Sequence, residues 1–327
     1  MENSNMLKNS LKGKNVVITG ASSGVGRAAA EAFASQGCNM VVVARGQKGI
    51  NEVVEYCHGL NVLALGVSAD MSIAEDVDKV ATEALSWFGK IDIWVNNAGV
   101  MASGKFEEIP MEIHQQVIKT NLFGYMHGAY NAIKIFKEQG EGILINNISI
   151  GGFMPAPYSA VYSASKFGIR GMMECLQGEI SNHTHIHICN IFPQLQNSTG
   201  NLHSAKYSGF DMTIPFIASD PRDTAAKIVA LAKHPQKEMF PDLRAAAITN
   251  TYRLFPKLVI NSASAAVRLK MKLNQDKPND AGNVLTKSKE PLRVYGNPPS
   301  KTKQNLSLAL FAGFGFGIAL LLMGKKS

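Results

Sequence analysis

The chain has 327 residues, 46% of them hydrophobic and 18% charged, and this composition excludes disorder throughout. The net charge of +8 argues against a nucleic-acid channel on the main body, because residues 1–256 hold 21 Lys and Arg against 22 Asp and Glu, and residues 257–327 hold 12 against 3. This basic end leads into an apolar run and suits an anionic membrane surface, with a solvated tail as the alternative on charge alone.

The N-terminal segment, residues 1–11, is predicted to be a short extension of the fold. It contains no apolar core of signal-peptide length, so the body is expected in the cytoplasm. The four cysteines are scattered without the paired spacing of a zinc site or a disulfide framework, and no metal site is expected.

Short apolar runs predict six β-strands along the chain. In order, these runs are NVVITG, NMVVVAR, NVLALGV, IDIWVNN, GILINNIS and HIHICNIF. Segments with helical periodicity lie between them, at residues 26–36, 73–88, 111–137 and 159–180. Alternating strands and helices indicate an α/β fold with a parallel sheet covered by helices on both faces. The strands are almost wholly apolar, which favours burial on both faces.

A glycine cluster, TGASSGVGR at residues 19–27, directly follows the first strand and opens a helix. In this context Gly20, Gly24 and Gly26 let backbone amides approach a pyrophosphate at a helix N-terminus. Taken alone, the cluster could also be a tight structural turn. Further motifs decide between these interpretations.

Three more motifs follow in order: NNAG at residues 96–99, Ser149, and YSASK with Tyr162 and Lys166. With them the chain resembles the short-chain dehydrogenase/reductase family over residues 12–245. The resemblance implies a single Rossmann-like, doubly wound parallel sheet in three α/β/α layers, followed by a C-terminal extension. It also implies an NAD(P)-dependent enzyme that interconverts an alcohol and a carbonyl.

The candidate catalytic residues include Tyr162 and Lys166, which lie four positions apart and therefore share one helix face. A tyrosine has a pKa of about 10 and needs a nearby cation to act near neutral pH, which Lys166 can supply. The family resemblance further implies that Lys166 holds the nicotinamide ribose and that Ser149 orients the substrate oxygen. It implies that Asn121, in KTNLFG, links a water-mediated proton path to the lysine.

The end of the second strand carries Arg45 after Ala44, where an NAD-dependent relative has an acidic residue. An arginine can pair with a 2′-phosphate, so NADP(H) is expected to be preferred, with NAD(H) left open. Ser22 and Ser23 can add hydroxyl donors. The full set of expected cofactor contacts is Gly20, Ser22, Ser23, Gly24, Val25, Gly26, Arg45, Asp70, Met71, Asn97, Gly99, Tyr162, Lys166 and Pro193.

One departure from the family pattern lies after the sixth strand, where Gln194 follows Pro193 in place of glycine. A non-glycine residue restricts the backbone there and puts the nicotinamide contact in doubt. The departure motivates an alternative function, a dinucleotide-binding scaffold or redox sensor with degenerate catalysis.

The C-terminal part is predicted as an amphipathic helical extension (246–273), a linker rich in Asn, Pro, Lys and Ser (274–304) and a membrane helix (305–324). Residues 306–323 carry no charge, and as a helix they would span about 27 Å, just short of the ~30 Å hydrocarbon core. A buried terminal helix is the alternative. An enzyme at a bilayer suggests a lipophilic carbonyl or alcohol substrate, and the family commonly forms homodimers or homotetramers.

Overall fold

The computed structural model describes residues 10–211, 218–289 and 291–296. The strands are β1 (Asn15–Thr19), β2 (Asn39–Ala44), β3 (Ala64–Ser68), β4 (Ile93–Asn96), β5 (Ala102–Ser103), β6 (Gly142–Asn147), β7 (Ile186–Ile191), β8 (Ala205–Lys206) and β9 (Glu238–Met239). The α-helices are α1 (Gly24–Ser35), α2 (Gln47–Gly59), α3 (Ala74–Phe88), α4 (Met111–Ile118), α5 (Gly124–Gln139), α6 (Ala160–Glu179), α7 (Thr199–Leu202), α8 (Pro221–Lys233), α9 (Leu243–Leu254) and α10 (Pro256–Leu273).

Seven strands form one parallel sheet in the order β3-β2-β1-β4-β6-β7-β9, and β5 pairs with β8 separately. The six strands predicted from the sequence are all present in the large sheet. The strand order reverses between β1 and β4, so a crevice opens at their carboxyl ends, where ligands bind in open α/β sheets.

Helices cover both faces of the sheet. One apolar cluster joins the sheet to α1, α2 and α8, and a second joins it to α3, α5 and α6. Most strand residues are buried for this reason, and β1 is buried along its whole length. The predicted three-layer, doubly wound α/β fold is confirmed.

A ladder of buried amides crosses the sheet below the crevice. Asn96 Nδ2 donates to Asn146 Oδ1 at 3.0 Å, and Asn146 Nδ2 donates to Asn190 Oδ1 at 3.1 Å. The indole Nε1 of Trp94 donates to Asn96 Oδ1 at 2.9 Å. These bonds join the ends of β4, β6 and β7 side by side and fix the strands from which the site residues project.

The segment predicted as one helix over residues 111–137 is divided by a π-helical turn at Lys119–Phe123. The turn separates α4 from α5 and contains the buried Asn121. Single π-turns insert one extra residue into a helix and are frequent at functional sites. Here the turn directs Asn121 toward the loop after β4, as described below.

The segment predicted as a linker differs in the structure, because its described part packs on the domain. We call residues 282–289 and 291–296 the C-terminal strap. Val284 and Val294 are buried in apolar clusters, which provides the packing that composition did not indicate. The predicted membrane helix at 305–324 lies outside the described residues. Over the part of the chain that is described, no helix is both long and apolar enough to cross a membrane.

Candidate active site

The nucleotide cleft lies at the carboxyl ends of β1, β2 and β4 and requires glycine at two positions. Gly20 has a φ of +67°, and a Cβ there would lie 2.8 Å from Ala98 Cα. A Cβ on Gly26 would lie 2.2 Å from the Gly20 carbonyl oxygen. Any side chain at either position would collide with backbone, so these glycines let the turn and α1 pack tightly against the strand ends.

The N-terminus of α1 borders the same cleft. The helix begins at Gly24 after Ser23, whose extended backbone makes it the N-cap and whose side chain makes no capping hydrogen bond. Backbone N–H groups in the first turn of a helix attract anions. The glycine-bordered cleft and this helix end fit the pyrophosphate of a dinucleotide.

Asn97 holds the two strand ends that form the crevice. Its Nδ2 donates to the Thr19 carbonyl oxygen at 2.9 Å, and its backbone N–H donates to Thr19 Oγ1 at 2.9 Å. Asn147 Nδ2 donates to Asn97 Oδ1 at 2.8 Å. Asn97 therefore borders the cleft and also ties β4 to β1.

Arg45 lies at the edge of the cleft, as expected for a residue that contacts the ribose of a dinucleotide. Its guanidinium already has hydrogen-bond partners. Nη2 donates to the carbonyl oxygen of Asn283 at 2.5 Å and Nη1 donates to that of Val284 at 3.3 Å. Asp70 Oδ2 lies 3.9 Å from Nη1. Burial lowers the pKa of Arg45, and the nearby carboxylate of Asp70 opposes this effect.

Tyr162 and Lys166 lie in the first two turns of α6, on the side facing the end of β6. The Lys166 Nζ is 5.7 Å from the centroid of the Tyr162 ring and 4.9 Å from that of Tyr125. Ser149 follows β6 with a φ of +111°, and its side chain is hydrogen-bonded to Tyr162. The sequence motifs thus indicate three site residues, and the fold brings their side chains together.

Burial is the main influence on the pKa values of Tyr162 and Lys166. It raises the pKa of Tyr162 above 10, and the hydrogen bond with Ser149 partly opposes the rise. It lowers the pKa of Lys166 to about 7. The lowered tyrosine pKa expected from the sequence is not found, because Lys166 is itself desolvated and only partly charged at neutral pH.

Asn121 makes three side-chain hydrogen bonds, to the loop after β4 and to α6. Its Oδ1 accepts from the Val100 N–H at 2.8 Å, and its Nδ2 donates to the Val100 carbonyl oxygen at 2.9 Å and to Ser165 Oγ at 3.0 Å. The side chain is completely buried. It joins the loop after β4 to α6 and so positions that helix.

Gln194, the departure from the family pattern, fits its place without glycine geometry. The structure gives it no positive φ, and its Nε2 donates to Ser219 Oγ at 2.7 Å. Its carbonyl oxygen accepts from Gln196 Nε2 at 2.9 Å. The side chain is buried and connects this loop to the segment before α8.

The catalytic group opens into a pocket of about 450 Å³ that is contiguous with the nucleotide cleft. Its walls are largely apolar and come from the loop after β6, the loop after β8 and α10. These wall residues are Met154, Pro155, Ala156, Pro157, Phe210, Val259, Ile260, Ala263 and Val267. The pocket suits an apolar substrate that presents one polar group to Tyr162.

The structure brings together nearly all of the residues that the sequence predicts. Ser149, Tyr162, Lys166 and Pro193 border the apolar pocket. The nucleotide cleft is lined by Gly20, Ser22, Ser23, Gly24, Val25, Gly26, Arg45, Asp70, Met71, Asn97 and Gly99. Asn121 lines neither space and lies behind them.

Several residues at the site were not predicted from the sequence. Asn283, Ser288 and Leu292 of the C-terminal strap line the nucleotide cleft, and no motif marks them. Asn147 lies where the two spaces meet, and its Oδ1 is buried without a hydrogen-bond partner among the described residues. The asparagine pair at the end of β6 was a signal that could have identified Asn147.

Residues 14–206 match the family model for short chain dehydrogenase. An uncharacterized oxidoreductase of Bacillus subtilis is 31% identical over 253 residues, which are 76% of this chain and 70% of that protein. A 3beta-hydroxysteroid dehydrogenase of Eggerthella lenta is 39% identical over 165 residues, which are 50% of this chain and 63% of that protein. The crystal structure of a short chain dehydrogenase/reductase from Burkholderia phymatum in complex with NAD has a TM-score of 0.68 at 23% identity, covering 76% of this chain and 96% of that one.

Proposed function

The chain belongs to the short-chain dehydrogenase/reductase family and is an NAD(P)-dependent oxidoreductase, and we propose that it interconverts a ketone or aldehyde and an alcohol on an apolar substrate. The observation that carries this proposal is the grouping of Ser149, Tyr162 and Lys166 at the mouth of an apolar pocket that continues into the nucleotide cleft. Adjacent sites for a cofactor and a carbonyl compound are what hydride transfer requires.

Tyr162 is the proposed proton donor. A bound nicotinamide would supply or accept the hydride. As the carbonyl carbon is reduced, Tyr162 gives its phenolic proton to the substrate oxygen, and in the reverse direction the phenolate takes that proton back. Burial raises the pKa of Tyr162, so the residue is a neutral phenol at pH 7 and holds the proton that carbonyl reduction consumes. This protonation state is the one required for proton donation to a carbonyl oxygen.

Ser149 and Lys166 support the proton transfer. The Ser149 hydroxyl is hydrogen-bonded to Tyr162 and can hold the substrate oxygen beside the phenol. The protonated fraction of Lys166 stabilises the phenolate that remains after proton donation, because its Nζ lies within 6 Å of the ring. Asn121 is proposed as a positioning residue for α6, and its part in a proton relay remains a hypothesis.

NADP(H) is the proposed preferred cofactor, with NAD(H) as the alternative. Arg45, directly after β2, supports this preference by its charge at the position that distinguishes the two dinucleotides, and Ser22 and Ser23 add hydroxyl donors nearby. Asp70 lies near Arg45 and weakens its attraction for a phosphate. We therefore expect a preference for NADP(H) and not an exclusive requirement.

The proposed substrate is an apolar alcohol or ketone. The pocket walls formed by Met154, Val259 and Ile260 offer no charge to a substrate body. A similar protein of Eggerthella lenta is described as a 3beta-hydroxysteroid dehydrogenase, which is a precedent for a bulky apolar alcohol. We also propose that residues 305–324 anchor the enzyme to a membrane from which such a substrate could enter.

The test is a panel of steroid, fatty and small polar ketones and alcohols, assayed by absorbance with each of the four dinucleotides, NADPH, NADH, NADP⁺ and NAD⁺. Detergent is included in one arm to deliver apolar substrates. The proposal expects turnover of apolar members with NADPH. Dinucleotide binding without turnover of any member would instead favour a scaffold or redox sensor.

A further inference from the structure

The C-terminal strap forms one wall of the nucleotide cleft. Asn283, Ser288 and Leu292 line the cleft together with the glycine turn before α1. A Cβ on Gly49 at the start of α2 would lie 3.2 Å from Leu292 Cδ1, so the strap also packs closely against that helix. A dinucleotide in the cleft would therefore contact the strap as well as the sheet domain.

Besides the packing of Val284 and Val294, arginine side chains of the domain donate hydrogen bonds to backbone carbonyl groups of the strap. Arg45 donates to the carbonyls of Asn283 and Val284, and Arg27 Nη1 donates to that of Leu292. These donors are charged and the acceptors are neutral. The strap contributes no carboxylate to the contacts with Arg45, so a ligand anion would be a stronger acceptor than the strap is.

A second attachment lies at the N-terminus of α1. The carbonyl oxygen of Arg293 accepts from the Gly24 N–H at 3.0 Å and from Thr199 Oγ1 at 2.8 Å. The strap is thus held near residue 293 by α1 and α7, and near residues 283 and 284 by Arg45. At the latter place the Asn283 N–H also donates to the His203 carbonyl oxygen at 2.8 Å, and Val284 packs in an apolar cluster.

The contacts of Arg45 set up a competition. Both of its terminal nitrogens donate to strap carbonyls, and its side chain is only 19% exposed. A phosphate binds arginine best through two parallel hydrogen bonds to such nitrogens, and attraction between opposite charges adds to these bonds, which a neutral carbonyl does not offer. A 2′-phosphate can obtain these bonds only if Arg45 leaves the carbonyls. A ribose 2′-hydroxyl makes no such demand.

We propose that the C-terminal strap determines cofactor specificity, because the carbonyls of Asn283 and Val284 compete with the 2′-phosphate of NADP(H) for Arg45. Binding of NADP(H) releases the strap near residues 283 and 284, whereas binding of NAD(H) leaves it attached. The inference rests on the proposed function only in assigning the cleft to a dinucleotide.

Two variants test this competition, one in the strap and one at Arg45. Val284→Ala removes side-chain contacts from a completely buried strap residue and weakens the competitor without altering Arg45. It is expected to raise the affinity for NADP⁺ about fivefold and to leave that for NAD⁺ unchanged. Arg45→Ala removes the guanidinium for which the strap carbonyls and the 2′-phosphate compete. It is expected to lower the affinity for NADP⁺ relative to NAD⁺ about tenfold.

Two further variants distinguish weaker competition for Arg45 from a general loss of packing. Leu285→Ala alters the neighbouring side chain, which is 45% exposed, and should change neither affinity. Thr199→Val keeps the side-chain shape and removes one donor to the Arg293 carbonyl at the other attachment, so it provides a second way to weaken the strap if Val284→Ala does not fold. It is expected to shift the affinities in the same direction as Val284→Ala, by less.

The test measures binding by fluorescence titration and backbone amide exchange by mass spectrometry, on the full chain. Saturating NADP⁺ should speed exchange in residues 283–289, and saturating NAD⁺ should not. Equal exchange with both dinucleotides, or equal weakening of both by Val284→Ala, would overturn the proposal. Neither readout needs turnover, so failure of the proposed reaction would be seen separately as binding without catalysis. Absence of binding by both dinucleotides would overturn the proposed function and this inference together.

Discussion

Lys166 Nζ lies 5.7 Å from the centroid of the Tyr162 ring, one helical turn further along α6. Lys166 is buried and Tyr162 is half-buried, and loss of solvent disfavours the charged form of each, so the pKa of Tyr162 is raised and that of Lys166 is lowered to about 7. At neutral pH the pair is a protonated phenol beside a partly protonated amine. This is the state from which a proton can be donated to a carbonyl oxygen.

Replacing Ser149 with alanine should shift the pH dependence of alcohol oxidation. The hydrogen bond from Ser149 lowers the pKa of Tyr162, so its loss raises that pKa further. Oxidation needs the phenolate, and its rate rises with pH through this pKa. We expect the rise to move to higher pH and kcat to fall at least about 100-fold, as measured by pH profiles of NADP⁺ reduction.

The control for this variant is Ser163→Ala, which removes a buried α6 serine that bonds to the backbone at Ser159 and Ala156. Its pH profile should match that of the wild type even if its stability falls. An unchanged profile for Ser149→Ala, with kcat within threefold of the wild type, would remove Ser149 from the proposed mechanism.

Replacing Lys166 with methionine should stabilise the cofactor-free protein while abolishing turnover. The folded-state pKa of about 7 lies below the unfolded value near 10.4, so the unfolded chain binds more protons between these pH values. Wild-type stability from this group therefore rises with pH across that window. The variant should be more stable by about 1–4 kcal/mol at pH 6, and the difference should narrow at pH 9.

Urea unfolding at pH 6 and pH 9 measures this difference. Lys134→Met, which changes an exposed lysine of α5, should show no comparable dependence on pH. A Lys166→Met variant that is less stable than the wild type at pH 6 would mean that the ammonium gains more from its surroundings, including the Tyr125 ring, than burial costs it.

Replacing Gly24 with alanine should weaken dinucleotide binding. Gly24 has a φ of +56°, and a Cβ there would lie 2.4 Å from Ser198 Oγ. The substitution must shift the start of α1 or the loop before α7, and both border the cleft. We expect at least a tenfold rise in the Kd for NADP⁺, measured by fluorescence titration, from strain of about 1–3 kcal/mol.

Gly171→Ala is the matched control, because an added Cβ in the middle of α6 meets no atom within 4 Å. That variant should bind NADP⁺ normally and gain up to about 1 kcal/mol of stability from the higher helix propensity of alanine. Normal binding by Gly24→Ala would show that the approach of Ser198 to α1 does not shape the cofactor site.

Much of the fold and of the site could be predicted because it depends on local patterns. The strand from Asn15 to Thr19 is an unbroken apolar run buried on both faces, and Gly20 and Gly26 occupy positions that no side chain could share. Tyr162 and Lys166 are close because of their spacing on one helix. In each case the residue types and their separation determine the geometry.

The rest depends on contacts between distant segments, which local patterns do not encode. Arg45 was predicted to face a phosphate, yet its partners are backbone carbonyls about 240 residues further along the chain, and carbonyl groups carry no sequence signature. Asn121 was matched to the family by its motif, but that motif does not indicate the hydrogen bond between its side chain and Val100, which depends on the π-turn. The raised pKa of Tyr162 follows from its desolvation, which emerges only in the folded protein.

Comparison of the wild type with Tyr162→Phe tests whether Tyr162 donates the proton in an NADP(H)-dependent carbonyl reduction. NADPH oxidation is followed with an apolar ketone at saturation, and NADPH binding is titrated in parallel. We expect wild-type turnover, a loss of at least about 10³-fold in kcat for the variant, and a Kd for NADPH within about threefold of the wild type. Turnover by the variant within tenfold of the wild type would show that Tyr162 is not the proton donor.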